Sequence, residues 1–535
     1  MSQDSMLYNF IFYIGIIFLI MFLVMLADKI KVAYPIVLVI GGLLVSIIPG
    51  LPEITIDPEM IFVVFLPPLL FEAAWYTSWK ELWKWRRVVG SFAFLIVIVT
   101  SFVVAVVSSQ LIPGFTLALG FLLGGIISPP DAVSATSVLK YVKIPKRLSS
   151  IIEGESLLND ASSLIIFRFA LITVTTGRFV FRDAALNFFV VIFLGILIGI
   201  VIAYIFYVIH RWLPTTTNID IVLTLTAPYV MYIVAEHFKA SGVLAVVSGG
   251  LFLSARNYLF LSHRSRLSGS NVWSTLGFVL NGLVFMLIGL ELPYITKNLE
   301  SEGIATAIWY GVLITALLIV TRIICTMTAS VFTVFISRYI RTADSNPGWK
   351  GPLIFGWAGM RGVVSLAAAL SIPVYSSPGV PFPHRNLILF ITFVVILLTL
   401  VVQGLTLPAL IKWVNMEDPD NKQPLAKNEE IIRKKIADKS LKYLEEKYGD
   451  RLKSNSSLQQ LLARIANDQS SDEEGIREKD FFADVYLDLL EQQRAWLAGI
   501  DKASDVDDEI IRRHQAIIDL EEEKMFIRFK NADLR

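Results

Sequence analysis

The chain is short of charge and almost without cysteine. Only 17% of its 535 residues are Asp, Glu, Lys or Arg, against about 25% in an ordinary soluble domain, so a soluble globular fold is excluded. The one cysteine, Cys325, rules out an intrachain disulfide and leaves nothing that ties the protein to an oxidising compartment. Net charge is only +1, and the basic residues stand in short clusters between apolar runs, which excludes a nucleic-acid partner. The N-terminus lacks the charged n-region and small-residue cleavage site of a removable signal peptide. Residues 6–26 therefore read as a first span that stays in place.

What is present is apolar length. The composition is 55% hydrophobic with a mean hydropathy of +0.63. Stretches long enough to span a bilayer occur near 6–26, 33–50, 58–78, 88–112, 115–139, 149–175, 184–209, 218–237, 241–260, 271–292, 304–338, 351–373 and 386–411, about thirteen in all. This predicts an all-α polytopic membrane protein, with a transmembrane domain over residues 1–415 and a charged cytoplasmic helical tail over 416–535. Starting the chain outside puts Lys29 and Lys31, Lys80 to Arg87, Lys140 to Arg147, His210-Arg211, His263 to Arg266, Arg338 to Lys350 and Lys412 inside. Arg178, Arg182 and Lys297 form the minority. The positive-inside rule thus gives N-terminus out, C-terminus in. Trp75, Trp79, Trp83 and Trp85 cluster at one boundary as an interfacial belt would.

The stretch SIIEGESLLNDASSLIIFRFA, residues 150–170, sets carboxylates in a span. Ionisable groups at membrane depth are rare and face a bundle interior or wet cavity. At about 100° per residue, Glu155, Ser156, Asn159, Asp160 and Ser163 share one helix face. Neutral oxygens beside a charged one suit a small hard cation rather than a soft transition metal; the bland reading is a polar seam between helices. Arg322, mid-span, needs a carboxylate because an unpaired buried charge is costly, and Glu155 is the candidate. Arg168 falls on another face and is expected to snorkel outward. Glu236-His237 and the run ending Gly289-Leu290-Glu291 read as solvated helix ends.

Two spans carry interruptions. Gly124-Gly125-Ile126-Ile127-Ser128-Pro129-Pro130-Asp131 lies in the fifth and Gly356-Trp357-Ala358-Gly359-Met360-Arg361-Gly362 in the twelfth. Paired prolines remove backbone donors, and glycines ease departure from helical geometry. Broken helices at membrane depth are tolerated only against protein or a water-lined cavity. Their places in halves of opposite topology point to an inverted-repeat transporter. Asp131 and Arg361 either compensate helix dipoles there or contact the ion. Pro67-Pro68 are expected to kink span three and open a pocket, with Glu72 either on the ion path or paired to a base. In the tail, Glu417 to Asn428 read as linker, 428–448 and 508–530 as helices that pack or dimerise, and no phosphate loop or metal-ligand cluster occurs.

Gly154-Glu155-Ser156-Leu157-Leu158-Asn159-Asp160, with FLPPLLFE, SPPDAVS and GMRGVVSLAAAL, resembles the monovalent cation:proton antiporter-1 family, the NhaP-type bacterial antiporters and animal sodium/proton exchangers, over about residues 6–412. The resemblance implies a homodimer in a bacterial plasma membrane whose six-helix core moves as an elevator, with Na+ and H+ as substrates and no cofactor. It implies that Asp160 binds cation or proton, Ser156 supplies a cation oxygen, Asn159 a supporting amide, and Asp131 and Glu72 nearby acidic contacts. Glu155 would pair in the core with Arg322, and Arg361 would be the arginine of the second broken helix. Pro130 stands where the family commonly has Thr or another small residue, which leaves a backbone carbonyl in place of a hydroxyl. The expected activity is Na+/H+ exchange by competition for Asp160, one proton per sodium and electroneutral. K+ or Li+ in place of Na+ is the near alternative; a channel and an intramembrane aspartyl protease using Asp131 and Asp160 are the distant ones.

Overall fold

A computed structural model of the protein describes residues 3–48, 61–142, 144–177, 181–297, 299, 303–339, 348–377, 379–416, 425–452, 456–467, 485–496 and 508–525. The chain forms two compact units, Met1–Asp418 and Pro419–Arg535. The first contains α1 (Gln3–Ile30), α2 (Tyr34–Ser46), α3 (Leu66–Tyr76), α4 (Trp79–Leu111), α5 (Leu117–Ile127), α6 (Ala132–Leu139) and α7 (Lys146–Thr176). It continues with α8 (Phe181–Trp212), α9 (Thr217–His237), α10 (Gly242–Ser254), α11 (Asn257–Phe260), α12 (His263–Leu290), α13 (Leu292–Lys297) and α14 (Ile304–Ile336). After α15 (Lys350–Trp357) and α16 (Val363–Leu370), a small antiparallel hairpin, β1 (Tyr375–Ser377) with β2 (Val380–Pro381), leads into α17 (Arg385–Val414).

Among the described residues nine helices are long and apolar enough to cross a membrane, with α5 and α6 counted as one. Three of the expected spans are shorter apolar helices, Tyr34–Ser46, Val63–Tyr76 and Gly242–Ser254, and the stretch 351–373 is divided into α15 and α16. Close packing depends on small residues, as between helices in lipid. A Cβ on Gly120 or Gly124 of α5 would stand 2.5 Å from the Ala105 carbonyl or 2.6 Å from the Ser101 carbonyl of α4. Those helices meet backbone to backbone.

Several local expectations change. Pro67 and Pro68 stand in the first turn of α3, directly behind a π-helical turn, Ile61–Phe65, within the one apolar helix Val63–Tyr76. The Val64 carbonyl, which an N–H at position 68 would have engaged in a regular helix, accepts instead from the Tyr229 hydroxyl at 3.1 Å. Trp79 and Trp83 are exposed and stacked, but Trp85 is buried. Arg168 does not merely snorkel: it pairs with Glu236 at 2.7 Å, and the other Glu236 oxygen accepts from the Gly242 N–H at the start of α10. Glu291 is not a solvated end either, being 4% exposed beside a small void shared with Phe65, Val363 and Leu366.

The second unit contains α18 (Leu425–Leu452), α19 (Ser456–Asn467), α20 (485–496) and α21 (Asp508–Met525). Helix begins at Leu425, inside the expected linker, whose residues 417–424 lie outside the described residues, as do Arg178 and the basic loop 340–347. Arg494 ties α20 to α21 through Asp519, at 2.6 Å, and Glu522.

Candidate ion-binding site

The two interruptions meet. α5 stops at Ile127, Ser128 to Asp131 leave helical geometry, and α6 resumes at Ala132; α15 stops at Trp357 and α16 resumes at Val363. The Asp131 N–H donates to the Met360 carbonyl at 2.7 Å, joining one break to the other. Thr399, on a π-helical turn of α17, accepts from the Arg361 N–H at 3.1 Å.

Four half-helix ends converge here, and each meets a matching charge. A helix N-terminus carries about half a positive charge and a C-terminus about half a negative one. Arg361, wholly buried, donates Nε to the Ile127 carbonyl at 2.7 Å and Nη2 to the Ser128 carbonyl at 3.2 Å, closing the carbonyl end of α5. Its Nη1 bonds the Gly359 carbonyl. Arg322 donates Nε to the Phe355 carbonyl at 3.3 Å, in the last turn of α15. Asp131 is the N-cap of α6, accepting from the Val133 N–H at 3.1 Å, the Ser134 N–H at 3.2 Å and the Ser134 hydroxyl at 2.5 Å. Its carboxylate also rests on Gly362, where a Cβ would collide with it, at the start of α16. One acid therefore serves two N-termini and two arginines serve two C-termini.

Against this crossing lies α7. Glu155, 1% exposed, faces Arg322 through two parallel bonds, Nη1 to Oε1 at 2.8 Å and Nη2 to Oε2 at 2.9 Å, the fork geometry that makes such pairs strong. Glu155 is thus turned to a counter-ion, not to the polar face it shares by periodicity. Ser156 Oγ accepts from the Ala132 N–H at 3.0 Å, adding a second cap to α6. Asn159, wholly buried, donates Nδ2 to the Pro130 carbonyl at 2.9 Å, while its Oδ1 has no partner among the described residues. Pro130 thus offers its carbonyl first to Asn159.

Asp160 is the exception. It is 7% exposed, yet among the described residues no donor bonds its carboxylate; only its backbone carbonyl is engaged, by the Ser163 hydroxyl at 3.1 Å. The charge within its electrostatic reach is Asp131. The Glu72 carboxylate lies over Gly277 of α12, where a Cβ would overlap it. Tyr34 lies within electrostatic reach of both Asp131 and Glu72. The arrangement brings together Asp160, Ser156, Asn159, Asp131 and Pro130, while Glu72 packs on α12 with Tyr34 within electrostatic reach of it. Sequence reasoning missed Tyr34, Thr399 and Gln403. Gln403 is wholly buried on the π-helical turn with Thr399, both its amide atoms unpaired among the described residues; the signal is a lone amide in the apolar run LLTLVVQG.

A set of oxygens around one unpaired acid, in a chain with many candidate spans, is what a cation carrier requires. Residues 15–413 match the family described as sodium/hydrogen exchanger, transmembrane. The chain belongs to the sodium/hydrogen exchanger family. Membership makes it a multi-pass membrane transporter and not an enzyme, which removes the protease reading. An uncharacterized Na+/H+ exchanger of Escherichia coli, YjcE, is 30% identical over 90% of this chain and 92% of its own length. The Na+/H+ antiporter ApNhaP of Aphanothece halophytica is 31% identical over 77% of this exchanger and 75% of itself. The sodium, potassium, lithium and rubidium/H+ antiporter of Bacillus subtilis is 33% identical over 70% of this exchanger and 57% of itself. Among solved structures, the sodium proton antiporter MjNhaP1 of Methanocaldococcus jannaschii superposes with a TM-score of 0.60 at 18% identity, covering 78% of this exchanger and all of that chain. The fold is therefore that of an exchanger.

Proposed function

We propose that this exchanger swaps Na+ for H+ across the plasma membrane by competition for Asp160, one for one and without net charge movement, in sodium extrusion and pH homeostasis. The observation that carries this reading is the Asp160 carboxylate, buried and without a donor among the described residues, at a crossing whose half-helix ends each meet a matching charge. A bare carboxylate taken through an apolar barrier pays a large desolvation penalty. Loaded with Na+ or with a proton it is neutral and passes, so leak is suppressed and exchange enforced. Ser156 Oγ and Asn159 Oδ1 complete the oxygen set for the cation, and Asp131 stays with its caps.

Alternating access is by elevator movement of the core in a homodimer, with the N-terminus outside and the tail over 416–535 in the cytoplasm, the orientation given by the basic loops. K+ or Li+ as the exchanged cation is the second reading, favoured by the name of the Bacillus relative.

Proteoliposomes carrying a pH gradient test this. Na+ added outside dissipates the gradient, the rate is indifferent to membrane voltage, and it rises and then falls with pH, because protons displace the cation at low pH and are lacking as cargo at high pH. Asp160→Asn abolishes it. Transport that survives intact in Asp160→Asn refutes the assignment, and separate assays with K+ and Li+ decide the cation.

A further inference from the structure

The end of α12 is held in two unlike ways. On one side it is locked to α2: a Cβ on Gly42 would stand 2.4 Å from the Met286 carbonyl, and one on Gly289 2.3 Å from the Val39 carbonyl, so these helices meet backbone to backbone. On the other side it faces α16 across a void of about 10 Å³, where Val363, Leu366, Ala367 and Leu370 fall at three- and four-residue spacing and present one aliphatic face. Among the described residues no hydrogen bond joins α12 to α16. One contact is keyed and the other is smooth, and α16 starts directly after the second interruption.

Glu291 stands in the smooth seam. It follows the last residue of α12 and is 4% exposed. Among the described residues no donor bonds its carboxyl, and no charged or titratable group of any element packed around it lies within its electrostatic reach. Phe65 of the π-helical turn, Val284 and Leu287 of α12 and the four aliphatic residues of α16 enclose it. A void of that size is at the limit of what one water needs, and a water there would find one polar partner where it needs two or more. The seam is dry. A bare carboxylate in it has neither solvent nor a partner, so the group sits there with its proton on. When α16 draws away and water enters, the same carboxyl ionises, as a hydrated Glu does above about pH 4.3.

We propose that Glu291 is a second proton-binding group of this exchanger, whose protonation seats α16 against α12. Asp160 is bordered by the oxygens of a cation site; Glu291 is bordered by hydrocarbon, so it takes a proton and no cation. The proposal rests on the seam and not on competition at Asp160. The closed seam holds one proton more than the open one, so the open fraction grows with pH, by up to about tenfold per unit.

The test uses the full-length protein in mixed micelles, in choline buffer without Na+, K+ or Li+, so that a failure of the competition at Asp160 does not disturb it. Ala367→Cys puts a thiol into the seam, where Ala367 is 2% exposed, Cys325→Ser removes the native one, and mass spectrometry follows labelling by N-ethylmaleimide. Dividing the rate with Glu291 by the rate with Glu291→Gln at each pH cancels the thiol's own ionisation. That ratio rises between about pH 6 and 8, by up to about tenfold per unit, and does so equally when Asp160→Asn is added. A ratio that stays level overturns the proposal, as does one that rises only while Asp160 is intact, or a thiol that reacts at no pH. Glu291→Asp, which returns an ionisable group to the seam, recovers the rise, and a level ratio there overturns the proposal too. Should Glu291→Gln fail to elute as a folded species, Glu291→Met, apolar and of similar length, takes its place as the reference.

Discussion

Replacing Glu155 with Gln leaves the Arg322 guanidinium, whose side chain is 3% exposed, without a counter-charge: the carboxamide oxygen still accepts one bond and the one at 3.3 Å to the Phe355 carbonyl remains, but the second acceptor and the negative charge are gone. Breaking a buried pair from one side costs about 3–5 kcal/mol, because the partner's charge stays where water cannot reach it. Replacing both, as Glu155→Leu with Arg322→Met, removes the charge as well as the pairing, and such swaps are often neutral or stabilising by about 1–4 kcal/mol. Here that gain is offset by loss of the bond to Phe355, about 1–3 kcal/mol for a charged donor. The double variant is therefore expected within about 2 kcal/mol of wild type, and more stable than Glu155→Gln. Equilibrium unfolding in mixed detergent micelles, read as a double-mutant cycle, gives the coupling. Raising salt leaves it unchanged, since a pair this deep is poorly screened. If Glu155→Gln costs under about 1 kcal/mol, or if the two single costs simply add, the claim that these charges are desolvated and mutually dependent is wrong.

Other outcomes follow from the crossing and its supports. Asp131→Asn keeps an oxygen that can cap α6 and retains measurable exchange, whereas Asp131→Ala loses the cap and about 0.5–2 kcal/mol in thermal unfolding; equal destabilisation by both would remove the capping role. Gly120→Leu forces α5 off α4, where Cβ space ends at the Ala105 carbonyl, and is expected to abolish the folded peak in gel filtration; a normal peak would mean the helices are not in backbone contact. Glu236→Gln, at the partly exposed pair with Arg168, costs under about 1 kcal/mol, and a loss matching that of Glu155→Gln would contradict the burial difference between the two pairs.

Much of this molecule can be read from residues alone because the bilayer makes exceptions conspicuous. Pro129-Pro130 and the glycines about Arg361 announce interruptions, and a mid-span arginine such as Arg322 announces a search for a carboxylate. Helical periodicity says which side chains share a face, but not which neighbour each meets. It groups Glu155 with Asp160, although one is held by a guanidinium and the other by no donor among the described residues. It cannot tell that Arg361 serves the carbonyls of a helix 230-odd positions earlier, that Glu236 at a helix end pairs with Arg168, or that Glu291 at another is buried by its neighbours. Tyr34 and Gln403 acquire meaning only once α2 and α17 are brought beside the breaks.

The reciprocal bonding of the two interruptions bears on how the molecule moves. Arg361 belongs to one and fastens the other, while Asp131 belongs to the other and leans on the first, so parting them would take the Ile127 and Ser128 carbonyls from Arg361 and the nearby carboxylate from the start of α16 at once. They act as a clasp. On the proposed function, an excursion that offers Asp160 to one aqueous compartment and then to the opposite one is expected to carry this clasp along shut. The bending belongs at its margins, and the widened turns at Ser91–Ile96 and Thr399–Gln403 are where the backbone has already given up regular geometry.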